Sequence, residues 1–101
     1  MNPLHQYEAW LDELDQRLRV DSGNIVCELG SGLIAPLSEL TDVDDIALWA
    51  GKLRESLAAH EGHLPHEYLV KRFARLAKER TGLPVNVDEI AWEATVGYRR
   101  R

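Results

Sequence analysis

Residues 41–82 read TDVDDIALWAGKLRESLAAHEGHLPHEYLVKRFARLAKERTG, and they carry the strongest helix signals in the chain. The sequence Thr41-Asp42-Val43-Asp44 resembles a capping box. Asp42, Asp44 and Asp45 place negative charge in the first turn, where the helix dipole favours it. Apolar residues then recur at steps of three and four, which defines one face: Val43, Ile46, Ala50, Leu53 and Leu57. Pro65 suits the start of a second helix, and Gly82 is typical of its end. The stretch therefore predicts two helices that meet at a corner, residues 60–67.

Helix patterns also lie on both sides of this stretch. Residues 3–20 begin with Pro3, which fits the first position of a helix, and they carry one apolar stripe: Leu4, Tyr7, Leu11, Leu14 and Leu18. Residues 86–97 indicate a shorter last helix. We therefore predict a mainly all-α fold, a compact bundle of about four helices, in a single domain over residues 1–101. We expect residues 98–101 to form a frayed basic tail.

Residues 22–40 fit two structures. Their apolar residues could mark a helix face, but Gly30-Ser31-Gly32 and Pro36 would break it. The alternative is a short β-hairpin, with strands at residues 25–29 and 33–37 and a turn at the glycines. Because an isolated two-stranded hairpin needs other elements packed on it, we slightly favour the broken helix.

Composition excludes several classes of protein. A chain of 101 residues builds one modest core and leaves little material for an enclosed active site. Cys27 is the only cysteine, so an intrachain disulfide is excluded. The N-terminus has no signal-peptide pattern, and no apolar run approaches the ~20 residues of a membrane span. We expect a cytoplasmic protein with no membrane partner and no cofactor.

Charge is divided unevenly between the two halves of the chain. Residues 1–50 contain ten acidic and two basic residues, a net charge of −8; residues 51–101 contain seven acidic and ten basic residues, a net charge of +3. This division favours either complementary packing inside the fold or surfaces that bind charged partners. The candidate acidic face comprises Glu8, Asp12, Glu13, Asp15, Asp42, Asp44 and Asp45. The candidate basic face comprises Lys71, Arg72, Arg75 and Lys78.

One glycine-rich motif has a counterpart in a known family. The sequence VCELGSG at residues 26–32 resembles the cofactor-binding turn of S-adenosylmethionine-dependent methyltransferases, in which glycines let the backbone approach a ligand. The resemblance covers these seven residues, and Leu33-Ile34 replaces the further glycine of that family. The patterns after residue 40 are helical, whereas that family needs several more strands. We therefore interpret the motif as a turn.

Three histidines at the corner raise the question of a metal site. His60, His63 and His66 are spaced three apart, and imidazoles on one helix face suit zinc or nickel. Gly62 and Pro65 interrupt any such helix, so we do not expect a metal site. A metal-binding sensor or enzyme remains an alternative function.

The basic residues 71–80 raise the question of nucleic-acid binding. The helix, glycine and helix order of residues 73–96 resembles a helix-turn-helix. The helix that would enter the major groove, however, starts with Asp88 and Glu89, which DNA repels. A nucleic-acid-binding regulator is therefore a second alternative.

The function that the sequence favours is non-enzymatic. No pattern of residues predicts catalysis, and charge is concentrated on separate faces. We expect a regulator, adaptor or inhibitor that binds another protein through a charged helix face, with an aromatic residue as anchor. Self-association is also expected of short amphipathic helices. The candidate anchors are Trp10, Trp49 and Trp92.

Overall fold

A computed structural model describes residues 3–60 and 62–96, so the predicted tail at 98–101 lies outside the described residues. The described chain is mainly helical and has a small antiparallel sheet. Its elements, in chain order, are α1 (Pro3–Arg17), β1 (Leu18–Asp21), β2 (Asn24–Cys27), β3 (Leu33–Pro36), a 3-10 turn (Leu37–Glu39), α2 (Val43–Ala58), α3 (His66–Thr81) and α4 (Val87–Thr95).

The predicted helices after residue 40 are confirmed, and local side-chain bonds explain where they start and end. Asp42, rather than Thr41, is the N-cap of α2, and its carboxylate accepts a hydrogen bond from the Asp45 N–H at 2.8 Å. Asn86 caps α4 in the same way, through the Glu89 N–H at 3.1 Å. Helix α3 ends at Gly82, which adopts the left-handed conformation.

The helix predicted over residues 3–20 is wrong at its end, since residues 18–20 belong to a strand, and the structure also decides between the two alternatives for residues 22–40. Helix α1 ends at Arg17, and the favoured broken helix at 22–40 is replaced by the hairpin alternative, β2 and β3, together with a preceding strand, β1. Ser22 and Gly23 both have positive φ, at 52° and 81°. Two such residues make the tight turn whose twist matches an antiparallel hairpin, with Asp21 paired to Asn24.

The sheet is stable because helices cover one of its faces. The strand order is β1-β2-β3, and both pairs are antiparallel. Helix α3 packs on β1 and β2, and α2 packs on β3. The residues of the covered face are buried: Leu18, Ile25, Cys27 and Ala35. The opposite face carries Ile34, which is 62% exposed.

Helix α3 lies at the centre of the hydrophobic core. It packs against α2, α4 and the sheet, and Phe73 is fully buried. Its other buried residues are Leu69, Val70, Ala74 and Ala77. Leu76, on the same helix, is half-buried. The core therefore forms around one helix, and the remaining elements take their positions from it.

The glycine-rich turn between β2 and β3 docks on the C-terminal part of α2. The Ser31 N–H donates to the Ser56 carbonyl oxygen at 3.2 Å, and the Ser31 hydroxyl donates to the Ser56 hydroxyl at 3.1 Å. Gly30 has a φ of +67°, and an added Cβ there would overlap the Ser56 carbonyl group. The motif is thus a turn, as predicted, and its close backbone approach is to a helix of the same chain.

The close approach of Gly30 to α2 predicts that two nearby glycine substitutions lower the free energy of unfolding by different amounts. Gly30→Ala should lower the free energy of unfolding by roughly 3 kcal/mol, because a strained backbone and a clash with α2 add together. Gly32→Ala should cost only about 1 kcal/mol for the strained backbone, since a Cβ at Gly32 would meet nothing within 4 Å. Urea denaturation measures both values, and equal costs would contradict the docking described above.

Candidate functional site

The acidic residues of α1 do not all have the same role. Glu8, Asp12 and Glu13 are exposed, and Glu13 lies 3.6 Å from Arg17 in a surface ion pair. Such exposed pairs contribute little stability. Asp15 is half-buried and lies against α3. Three of the four predicted acidic residues on α1 are therefore available to a partner.

Asp15 belongs to a structural cluster with Tyr68 and Arg72. The Tyr68 hydroxyl donates to the Asp15 carboxylate at 2.8 Å, and Arg72 Nε lies 3.5 Å from the same oxygen. The Arg72 guanidinium also donates to the carbonyl oxygens of Leu18, at 2.7 Å, and of Asp15, at 3.0 Å. Burial raises the pKa of Tyr68, and its bond to the Asp15 carboxylate raises it further. This cluster fixes the α1–β1 junction on α3.

The aspartates at the start of α2 serve the helix itself. Asp42 is the N-cap, and Asp45 accepts hydrogen bonds from the Thr41 N–H at 2.9 Å and the Thr41 hydroxyl at 2.6 Å. The bond from the Thr41 hydroxyl is the main cause that lowers the pKa of Asp45. Asp44 is exposed. This part of the predicted acidic face is therefore largely occupied by capping.

The hydrogen bonds of Asp45 predict a change in titration. Thr41→Val removes the hydroxyl donor, so the pKa of Asp45 should rise toward its ordinary value of 3.8. A carboxylate whose pKa is lower in the folded than in the unfolded state stabilises the fold above about pH 4. This contribution is lost as the pH falls through the folded-state pKa. The variant should therefore lose less stability on acidification than the wild type. An NMR titration of the Asp45 carboxyl checks this, with the exposed Ser38→Ala as control; an unchanged pKa in Thr41→Val would contradict it.

The basic face is also divided between internal and free residues. Lys71 Nζ lies 3.1 Å from Glu67 and 3.4 Å from Asp88, and these carboxylates raise the pKa of Lys71. Arg72 is bound to the α1–β1 junction, as described above. Arg75 and Lys78 are exposed. Half of the predicted basic face therefore already has partners within the chain, which leaves a smaller cationic surface for a phosphate backbone than the sequence indicates.

The division of the basic face predicts unequal effects on stability. Arg72→Ala should lower the free energy of unfolding by about 2 kcal/mol, because carbonyl oxygens of α1 and β1 lose a charged donor. Arg75→Ala, on the same helix, should change it by less than about 0.5 kcal/mol. Chemical denaturation of both variants tests this, and a similar small effect for Arg72→Ala would show that the cluster does not hold the junction.

The three tryptophans differ in exposure. Trp49 is half-buried, and the Lys52 ammonium lies 4.3 Å from the centre of its ring. Trp92 is 50% exposed on α4. Trp10 is half-buried, and its ring lies 5.8 Å from that of Tyr7, tilted by 51°. Trp10 is thus the predicted anchor that lies beside the exposed acidic residues.

The structure also exposes apolar residues that the sequence placed in the core. Every residue from 4 to 9 is exposed, including Leu4 at 66% and Tyr7 at 52%. On the same stripe Leu11 is half-buried and Leu14 is buried. The first half of α1 therefore extends past the core and carries exposed acidic and apolar side chains together. An amphipathic stripe predicts burial but does not show which surface covers it, so no signal in the sequence indicates this exposure.

The histidine corner does not form a metal site within the described residues. No group of three or more His, Cys, Asp or Glu side chains is arranged there to hold a metal ion, across residues 3–60 and 62–96. His60 and His63 are exposed, whereas His66 is half-buried. Burial lowers the pKa of His66, and the charges of Arg54 and His63 lower it further.

Comparison with known proteins adds no relative: no family model, no curated protein and no solved structure matches this chain. In the part of the chain that the structure describes, no helix has the length and apolar character needed to cross a membrane.

Proposed function

We propose that this protein is a non-enzymatic protein-binding module, a regulator, adaptor or inhibitor, that docks through the first half of α1. The observation that carries this proposal is the joint exposure of acidic and apolar residues on that helix. Glu8, Asp12 and Glu13 are exposed there together with Leu4 and Tyr7. Charge steers a partner to such a surface, and buried apolar and aromatic side chains then hold it.

The other charged surfaces support this role less well. Lys71 and Arg72 have partners within the chain, and Asp42 and Asp45 take part in capping. A group already bound to its own chain has to lose those bonds before it can serve a partner. The exposed acidic residues of α1 carry no such cost beyond the weak pair with Arg17.

An acidic helix of this kind fits a cationic partner. One concrete form is an inhibitor that covers the basic groove of a protein that handles nucleic acid, since carboxylates can occupy the positions of phosphates. The chemistry required of the partner is a surface rich in lysine and arginine. We propose that the protein meets this partner in the cytoplasm.

Charge reversal on α1 tests the proposal. The tagged full-length protein is used to capture partners from its native host at about 0.1 M salt, and elution is attempted at about 1 M, where the Debye length is only ~3 Å. We expect one protein to be retained by the wild type, released by salt, and not retained by the double variant Glu8→Lys/Asp12→Lys.

The matched control is Glu55→Lys/Glu93→Lys, which changes the net charge equally at exposed positions on α2 and α4. This control should retain the same protein as the wild type. If the α1 variant binds as well as the control, or if no protein is retained by the wild type, the proposed function is wrong.

A further inference from the structure

The apolar residues of α1 have the spacing of a helix-pairing seam. Leu4, Tyr7, Leu11 and Leu14 follow one another at steps of three, four and three, which is the pattern of residues that insert into a second surface. Leu14 is buried against this protein's own core, whereas Leu4 and Tyr7 are exposed. The C-terminal end of the seam therefore packs against the protein's own core, and its N-terminal end, which we call the open end, is exposed to solvent. Trp10, whose ring contacts that of Tyr7, is half-buried against the core and marks the boundary between the two ends.

The open end of the seam is held in a defined orientation. Helix α1 runs without a loop into β1, and the Glu28 N–H donates to the Arg17 carbonyl oxygen at 2.8 Å. Arg72 binds the carbonyl oxygens of Asp15 and Leu18 on either side of this junction. A ligand helix fixed in this way loses little conformational entropy when it binds.

The charges beside the seam identify the kind of surface that would cover it. The exposed acidic residues of α1 are Glu8, Asp12 and Glu13, and residues 3–16 contain no lysine or arginine. In an antiparallel pair formed by the exposed ends of two α1 helices, the exposed Glu8 of each copy would flank the seam at the same position, so carboxylate would face carboxylate. Like charges disfavour that pairing. A partner with cations at the edge of an apolar groove has the complementary charge.

We infer that the first half of α1 is a ligand helix that inserts Leu4 and Tyr7 into an apolar groove bordered by lysine or arginine on a different protein. This inference rests on the proposed function and specifies how the partner is bound. The binding mode is that of an amphipathic helix in a groove, in which side chains at helical spacing provide affinity and the flanking charges provide specificity. Residues 4–9, all of them exposed, provide about one and a half turns of helix for this contact, roughly 9 Å in length.

Site-specific photo-cross-linking tests this binding mode. The full chain, with p-benzoylphenylalanine in place of Tyr7, is irradiated in cells of its native host, and adducts are identified by mass spectrometry. Because Tyr7 is exposed, this aromatic replacement leaves the core intact. We expect one adduct with a different protein, and we expect the cross-linked peptide to come from an apolar groove with lysine or arginine at its edge.

Two further variants, each made in the chain that carries p-benzoylphenylalanine at position 7, distinguish insertion of α1 into a groove from non-specific contact with the partner. Leu4→Asp should reduce the adduct yield at least tenfold, because the seam loses its first apolar residue. Leu48→Asp is the matched control, since Leu48 is 59% exposed on α2 and Leu4 is 66% exposed on α1. Its yield should equal that of the parent photoreactive chain. Circular dichroism of both variants should show the same helix content.

Four results would overturn the inference. The first is an adduct only with a second copy of this chain, which would make the seam a homodimer contact. The second is a yield that Leu4→Asp does not change, and the third is a cross-linked peptide from an acidic or wholly polar surface. The fourth is no adduct at position 7 while the capture experiment still retains a partner, in which case docking through a groove is wrong and the proposed function stands. Failure of both experiments rejects both proposals.

Discussion

The attachment of Arg72 to the α1–β1 junction is the constraint on which the rest of the structure depends. Arg72 lies on α3, the helix at the centre of the core, and it donates to the carbonyl oxygens of Asp15 and Leu18. Those oxygens lie where the chain changes from helix to strand, so one side chain satisfies backbone groups that this change leaves without regular partners. The same contact sets the direction in which α1 leaves the core.

This arrangement explains why one face of a small protein is left open. The sheet and α2–α4 bury the core residues around Phe73, and α1 packs against this core through Trp10, Leu11 and Leu14. Residues 4–9 of α1 extend past this core, so Leu4 and Tyr7 are exposed although their spacing is that of a buried stripe. Exposed apolar residues on a rigid element, beside charges of one sign, are typical of a docking surface.

The sequence predicted the elements whose signals are local and failed where the contacts are distant. Caps and apolar periodicity identified α2, α3 and α4. The helix was predicted to continue past Arg17 because Leu18 lies four residues after Leu14 and so extends the helical stripe. A strand of four residues is too short to show a clear alternation of apolar and polar residues. The sequence also does not show which charged residues bind within the chain and which are exposed to a partner. Asp15, for example, binds Tyr68, which lies 53 residues away in the sequence. A hydrogen bond of that range depends on the fold.

The most direct test of the central claim, that the first half of α1 is an open surface that a partner covers, is hydroxyl-radical footprinting of the protein alone and in its captured complex. We expect rapid oxidation of Tyr7 in the free protein and strong protection in the complex, with Phe73 protected in both. Slow oxidation of Tyr7 in the free protein would show that α1 is already covered by its own chain. Equal oxidation of Tyr7 in the two states would show that the partner binds elsewhere.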